Sequence, residues 1–132
     1  MSEMPKNLAD TMPFSRLMGV SITDASAERV TGELVVRDDL CTTNNIMHGG
    51  AIMAFADALG AVGAFLSLPK GANGTTTIES KTNFLGAAKQ GSTVTGVTKP
   101  VKIGGRMSVW QTEIRTQADK QVALITQTQL VL

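Results

Sequence analysis

One cysteine, Cys41, and one histidine, His48, are all that the 132-residue chain holds of these two types. A lone cysteine excludes an internal disulfide and suits a reducing compartment. With one of each and no second ligand at metal-binding spacing, a structural zinc site is set aside, so neither a metal nor a cofactor is expected. The G-x-S-x-G elbow of a serine hydrolase is missing, and His48 has no obvious serine partner. Runs of a single charge are missing too. Twelve Lys and Arg stand against eleven Asp and Glu, a formal net charge of +1, which leaves no electrostatic footprint for nucleic acid. The opening residues MSEMPKNLADTMPF lack the unbroken apolar stretch of a signal peptide, and no apolar segment reaches the roughly twenty residues of a membrane crossing. The expectation is one cytoplasmic domain over residues 1–132, with no nucleic-acid and no membrane partner. Its 42% hydrophobic and 17% charged residues suffice for a proper core.

What the chain does have is an apolar run, GGAIMAFADALGAVGAFL from Gly49 to Leu66, in which Asp57 is the only polar side chain. A helix hydrophobic on every side is one that the protein surrounds. Desolvating a carboxylate costs several kcal/mol, so it survives there where a partner or a reaction needs it. Capping and dipole effects are confined to the first turn, and Asp57 lies about two turns in. A buried ion pair or a partly exposed helix edge stays open beside the reading of Asp57 as a chemical group. The run also holds Gly60 and Gly63 among many alanines. Each helical glycine costs about 0.5 to 1 kcal/mol relative to alanine, so close packing against a sheet or a second copy of the helix has to offset it.

Around this helix the pattern predicts a short covering helix from Asn7 to Met18, stopped by Gly19, and a hairpin of Val20 to Ala27 with Arg29 to Val36. A loop from Asp38 to Met47 leads into the helix. Four strands follow as an antiparallel meander: Thr75 to Leu85, Ser92 to Lys102, Arg106 to Thr116 and Gln121 to Leu132. The fold class is α+β, one long helix held against the concave face of a curved antiparallel sheet.

Three stretches carry a resemblance: HGGAIMAFAD from His48 to Asp57, TIESKTNFL from Thr77 to Leu85, and Gly104-Gly105-Arg106 leading into Val109-Trp110-Gln111-Thr112-Glu113. Together they resemble the hotdog-fold acyl-CoA thioesterases, in particular the group of the phenylacetic acid degradation and 4-hydroxybenzoyl-CoA thioesterases. The resemblance implies a hotdog domain that pairs through its sheet and central helix, often as a dimer of dimers, and hydrolyses coenzyme A thioesters of aryl or short-to-medium-chain acyl groups. By position, Asp57 is the catalytic carboxylate, the Gly49 N–H polarises the thioester carbonyl, His48 shapes the turn and Thr77 helps to position water. The family's amide six residues before the histidine is Thr42 here, and Asn45, ahead of Asn44, is expected to take its place.

A thioester needs donors at the oxygen that gains charge and a base or nucleophile at the carbonyl carbon. The N-terminus of the apolar helix offers the first, with Gly49 and Gly50 leaving its backbone bare. Asp57 offers the second, by activating water or by direct attack. Eight residues separate Gly49 from Asp57, about 12 Å along one helix, too far for one carbonyl to touch both. Two antiparallel helices across a twofold axis would bring Gly49 of one subunit to Asp57 of the other, so sites shared between subunits are expected. Coenzyme A phosphates need cations, for which Lys102 and Arg106 at the Gly104-Gly105 turn are the first candidates, with Lys99, Lys89 and Arg115 behind them. Two other functions compete: an acyl-CoA binding or sensing module without turnover, and a hotdog dehydratase, against which His48 stands in the glycine turn.

Overall fold

The computed structural model describes residues 7–132; the first six, where the reading for an export signal begins, lie outside the described residues. Pro13 divides the expected N-terminal helix. It lacks an N–H and pushes the residue before it out of the helical region, so Met12 is extended (φ −109°, ψ 109°) between a 3₁₀ turn, Leu8–Thr11, and α1, Pro13–Met18. Gly19, at φ 86°, ends α1 in the left-handed conformation, its N–H donated to Ser15 and Arg16.

Six strands form one antiparallel, curved sheet: β1 (Ser21–Ala25), β2 (Val30–Val35), β3 (Thr75–Phe84), β4 (Thr93–Ile103), β5 (Met107–Thr116) and β6 (Gln121–Val131). Their order is β1-β2-β4-β5-β6-β3. The hairpin β1-β2 forms as expected, and β4-β5-β6 is a meander, but β3 does not open it. β3 pairs with β6 at the far edge, and β4 pairs with β2. The cause is the connection from Leu85 to Ser92, which is knitted to other chain segments instead of turning tightly. Leu85 donates to Val122, Met47 to Ala88, Gln90 to Asn45 and Gly91 to Val36, all at 2.8 or 2.9 Å. These bonds carry the chain across the molecule and deliver β4 beside β2.

α2, Gly49–Leu66, lies across the sheet and packs on β2 through β6. Its two inner glycines are explained by the sheet. A Cβ at Gly63 would stand 2.7 Å from the ring of Trp110, and one at Gly60 would stand 2.2 Å from the amide of Gln127. Phe55, Leu59, Trp110, Ile114 and Ile125 are fully buried at this interface. The expectation that the protein surrounds the helix is corrected, because a single sheet covers a single side. Met53, Ala54, Asp57 and Ala61 are only half-buried, and Gly50 and Phe65 are exposed, a stripe at three-to-four-residue spacing that nothing among the described residues covers. By length and composition alone α2 would pass for a membrane span, yet half of its residues are buried against the sheet, the packing of a core helix.

Candidate active site

His48 caps α2. Its backbone is extended (φ −64°, ψ 139°), and its Nδ1 accepts the Gly50 N–H at 2.8 Å, the geometry of a neutral imidazole with its proton on Nε2. Its own N–H donates to Leu40, and its carbonyl receives the Ile52 N–H. Of the first N–H groups of the helix, those of Gly49 and Ala51 find no acceptor among the described residues. Such free donors at a positive helix end form a place for an anion or a polarised carbonyl. The ring of Phe84, at the end of β3, closes over Gly49, where a Cβ would lie 3.2 Å from it.

Two turns on, Asp57 Oδ1 accepts from Thr77 Oγ at 2.6 Å and from Gln127 Nε2 at 3.3 Å. Thr77 Oγ also lies 2.9 Å from Gln129 Oε1 and 3.1 Å from Gln129 Nε2. A hydroxyl has one proton. Thr77 gives it over the shorter distance to the carboxylate, and so receives a bond from Gln129 Nε2. A β-bulge aims Thr77 inward: the register shifts between Thr77 and Glu79, leaving Ile78 unpaired and 52% exposed. Asp57 Oδ2 has no partner among the described residues, and it is not among the unpartnered atoms that burial seals off. The ion pairs among the described residues join Arg37 with Asp39 and Arg115 with Glu113 and Asp119. None reaches Asp57. Of the two structural alternatives for this residue, the partly exposed helix edge is therefore the one observed.

The other residues singled out from sequence are spread over the molecule. Asn45 is exposed in the loop before α2 at φ 58°, a left-handed conformation that asparagine tolerates. Its backbone bonds Thr42 and Gln90, and its side chain has no partner among the described residues. Lys102 is exposed on β4. Gly104 closes the β4–β5 turn by donating to Met107 at 2.9 Å. Gly105 and Arg106 line a groove of about 510 Å³ with Lys70 and Leu130, beside the loop that leaves the C-terminal end of α2 and so opposite Gly49. Arg115 is already engaged by Glu113, which raises its pKa.

Two further hollows flank the helix. One of about 370 Å³ is lined by Phe14, Leu17, Arg37, His48, Gly50 and Ala51 at its start. The other, about 530 Å³ and almost wholly apolar, is lined by Leu8, Met12, Ala61, Phe65, Leu66 and Thr75, one turn beyond Asp57. Sequence reasoning missed Gln127 and Gln129. A signal was present: the inward positions of β6 run Ala123, Ile125, Gln127, Gln129, turning from apolar to amide where a purely structural strand would stay apolar.

Residues 44–123 match the model of the thioesterase superfamily. A Mycobacterium tuberculosis protein named as an esterase is 26% identical over 123 residues, 92% of this chain and 87% of that one. Its solved structure superposes with a TM-score of 0.87 at 23% identity, covering 92% and 97% of the two chains. The Escherichia coli 1,4-dihydroxy-2-naphthoyl-CoA hydrolase is 36% identical over 69 residues, 52% of this chain and 49% of that one. A Streptococcus pneumoniae thioesterase protein solved with coenzyme A shares the fold at a TM-score of 0.78 and 22% identity, covering 86% and 85%.

Proposed function

The chain belongs to the thioesterase superfamily and is a thioester hydrolase, and from that premise we propose that it cleaves coenzyme A thioesters of aryl or short-to-medium-chain acyl groups with Asp57 as the reacting carboxylate. The observation that carries this reading is the state of Asp57. Among the described residues its Oδ1 is bonded only by neutral donors and its Oδ2 has no partner, and it sits in a half-buried stripe of an otherwise apolar helix. A carboxylate held by a cation would be a poor base or nucleophile; one held by a hydroxyl and an amide keeps its orientation and leaves an oxygen open.

The carbonyl oxygen of the substrate would take the free Gly49 N–H, where charge accumulates as the carbon becomes tetrahedral. Oδ2 then removes a proton from water as the water's oxygen bonds the carbon, or attacks the carbon itself to give a mixed anhydride that water afterwards hydrolyses; in either route the C–S bond breaks and the sulfur leaves as the thiolate of coenzyme A. Since one helix separates Gly49 from Asp57 by about 12 Å, each site would combine the two from different subunits of a twofold dimer. The bare stripe of α2 and the unpaired edge of β3 are surfaces suited to that pairing, and such dimers would pair again as a dimer of dimers. An antiparallel pair also carries the Lys102 and Arg106 end of one subunit toward the Gly49 end of its partner, which suits the phosphates of coenzyme A. The apolar hollow beyond Asp57 suits the acyl group. The free Cys41 fits a cytoplasmic setting.

The test follows free thiol released from a panel of acyl-CoAs by wild type and by Asp57→Asn. Turnover that falls at least a hundredfold in the variant, with binding kept, supports hydrolysis at Asp57. Equal turnover in both proteins refutes the assignment, and tight binding without turnover in the wild type makes the chain a binding module.

A further inference from the structure

Two buried amides opposite Asp57 take no part in the reaction described so far. Gln127 and Gln129 are 0% and 1% exposed, and burying an amide in an apolar layer is costly unless every bond is made. Gln127 does not make them all: its Oε1 is buried with no partner among the described residues. It also imposes Gly60 on the helix, because any Cβ there would stand 2.2 Å from its amide carbon. A smaller apolar residue at 127 would remove both costs. Local costs of this kind, accepted together at one place, are the mark of a functional arrangement.

We propose that Gln127 and Gln129 are positioning residues that decide which oxygen of Asp57 reacts. The inference rests on the reading of Asp57 as the reacting carboxylate. Gln129 Nε2 donates to Thr77 Oγ, which fills a lone pair of the hydroxyl and turns its only proton to Asp57 Oδ1. Gln127 Nε2 donates to the same oxygen from the other side. With two donors, Oδ1 is committed, the carboxylate plane is fixed, and Oδ2 is left to face water and substrate.

No charge among the described residues competes with them. β6 has no charged residue. Glu79 and Lys81 of β3 and Asp10 of the N-terminal 3₁₀ turn are exposed. The inward positions of β2, β4 and β5 are all uncharged: Val30, Gly32 and Leu34; Val94, Gly96 and Thr98; Ser108, Trp110, Thr112 and Ile114.

The experiment measures kcat and KM for the full chain and for Gln127→Met, Gln129→Met, Thr77→Val and Thr77→Ser. Losing a donor lets the carboxylate plane swing away from its working direction, so kcat falls about tenfold while KM stays within about twofold. Gln129 acts through Thr77, so Gln129→Met adds nothing in the Thr77→Val background, whereas Thr77→Ser, which keeps the hydroxyl, keeps the wild-type kcat. Gln129 does not abut Gly60, so Gln129→Met carries the test if Gln127→Met fails to fold. An unchanged kcat in Gln129→Met, or additive effects of Gln129→Met and Thr77→Val, would overturn the proposal. Full activity in Asp57→Asn would instead sink the underlying reading, so the two failures are distinct.

Discussion

Complementation between two dead subunits tests the shared site most directly. One subunit carries Asp57→Ala. The other carries Gly49→Pro, which deletes the N–H and little else. Gly49 is the first residue of α2, a position proline favours, and His48 already has the ψ of 139° that a residue before proline needs. The exposed Phe84 ring has room to yield to the added atoms. Loss of one oxyanion donor costs about 10²- to 10³-fold in kcat, so each variant alone is nearly inactive. In a mixed dimer, one site joins an intact Gly49 to an intact Asp57 and the other joins the two defects, so the dimer keeps half the wild-type rate. Random co-assembly yields about half mixed dimers, so a co-refolded equimolar sample should regain about a quarter of the wild-type activity per site, read by thiol release. If the rate stays at the sum of the two parents while mixed dimers are visible by mass spectrometry, the site lies within one chain and the reasoning from the 12 Å separation is wrong.

Gly63→Ala sets helix propensity against packing. Propensity favours alanine by about 1 kcal/mol, but the new Cβ would stand 2.7 Å from a Trp110 ring that is fully buried and bonded through Nε1 to Ser108. Overpacking costs about 1 to 3 kcal/mol, so urea denaturation should show a net loss, and a gain would refute the packing argument. His48→Ala removes the cap on Gly50 and should cost about 1 kcal/mol, with His48→Asn recovering most of it; equal melting points for the three proteins would show the cap to be idle. Burial first, and then the charges of Asp38 and Asp39, push the Cys41 thiol above its ordinary pKa. Less thiolate is then present in the folded protein at pH 8 than in the unfolded chain, so alkylation should be slower when folded and should speed up in the Asp38→Asn, Asp39→Asn double variant. Because the unfolded thiol loses its proton first, this group also withdraws stability as the pH rises past about 8.5.

Local signals in the sequence were strong where periodicity and punctuation agreed. α2 runs from Gly49 to Leu66 as its apolar run and the glycines and proline beyond it require, and each of the last four strands lies within two residues of its alternating segment. Strand order was hidden, because the pairing of β3 with β6 depends on hydrogen bonds between the 85–92 connection and residues far from it in the chain. The break at Pro13 was visible in principle and was overridden by the apolar residues on either side of it. At the site, Asp57 stood out as one acid in an apolar run. Its donors did not, since a glutamine among the threonines of a strand looks like a solvent-facing residue until the register places it inward. The bare stripe on α2 was equally hidden: composition shows that a helix is apolar all round, and only the single-sheet architecture shows that one side lacks a cover.

The place of β6 between β5 and β3 has a consequence for biosynthesis. The acid is translated first, its hydroxyl partner some twenty residues later, and the two amides that bond the pair only with β6. Until that strand leaves the ribosome, β3 has no neighbour in the sheet and the carboxylate has no fixed direction. A nascent chain therefore exposes a long sticky border, and the zippering event that hides this border is also the one that brings the two amides to the acid and its hydroxyl.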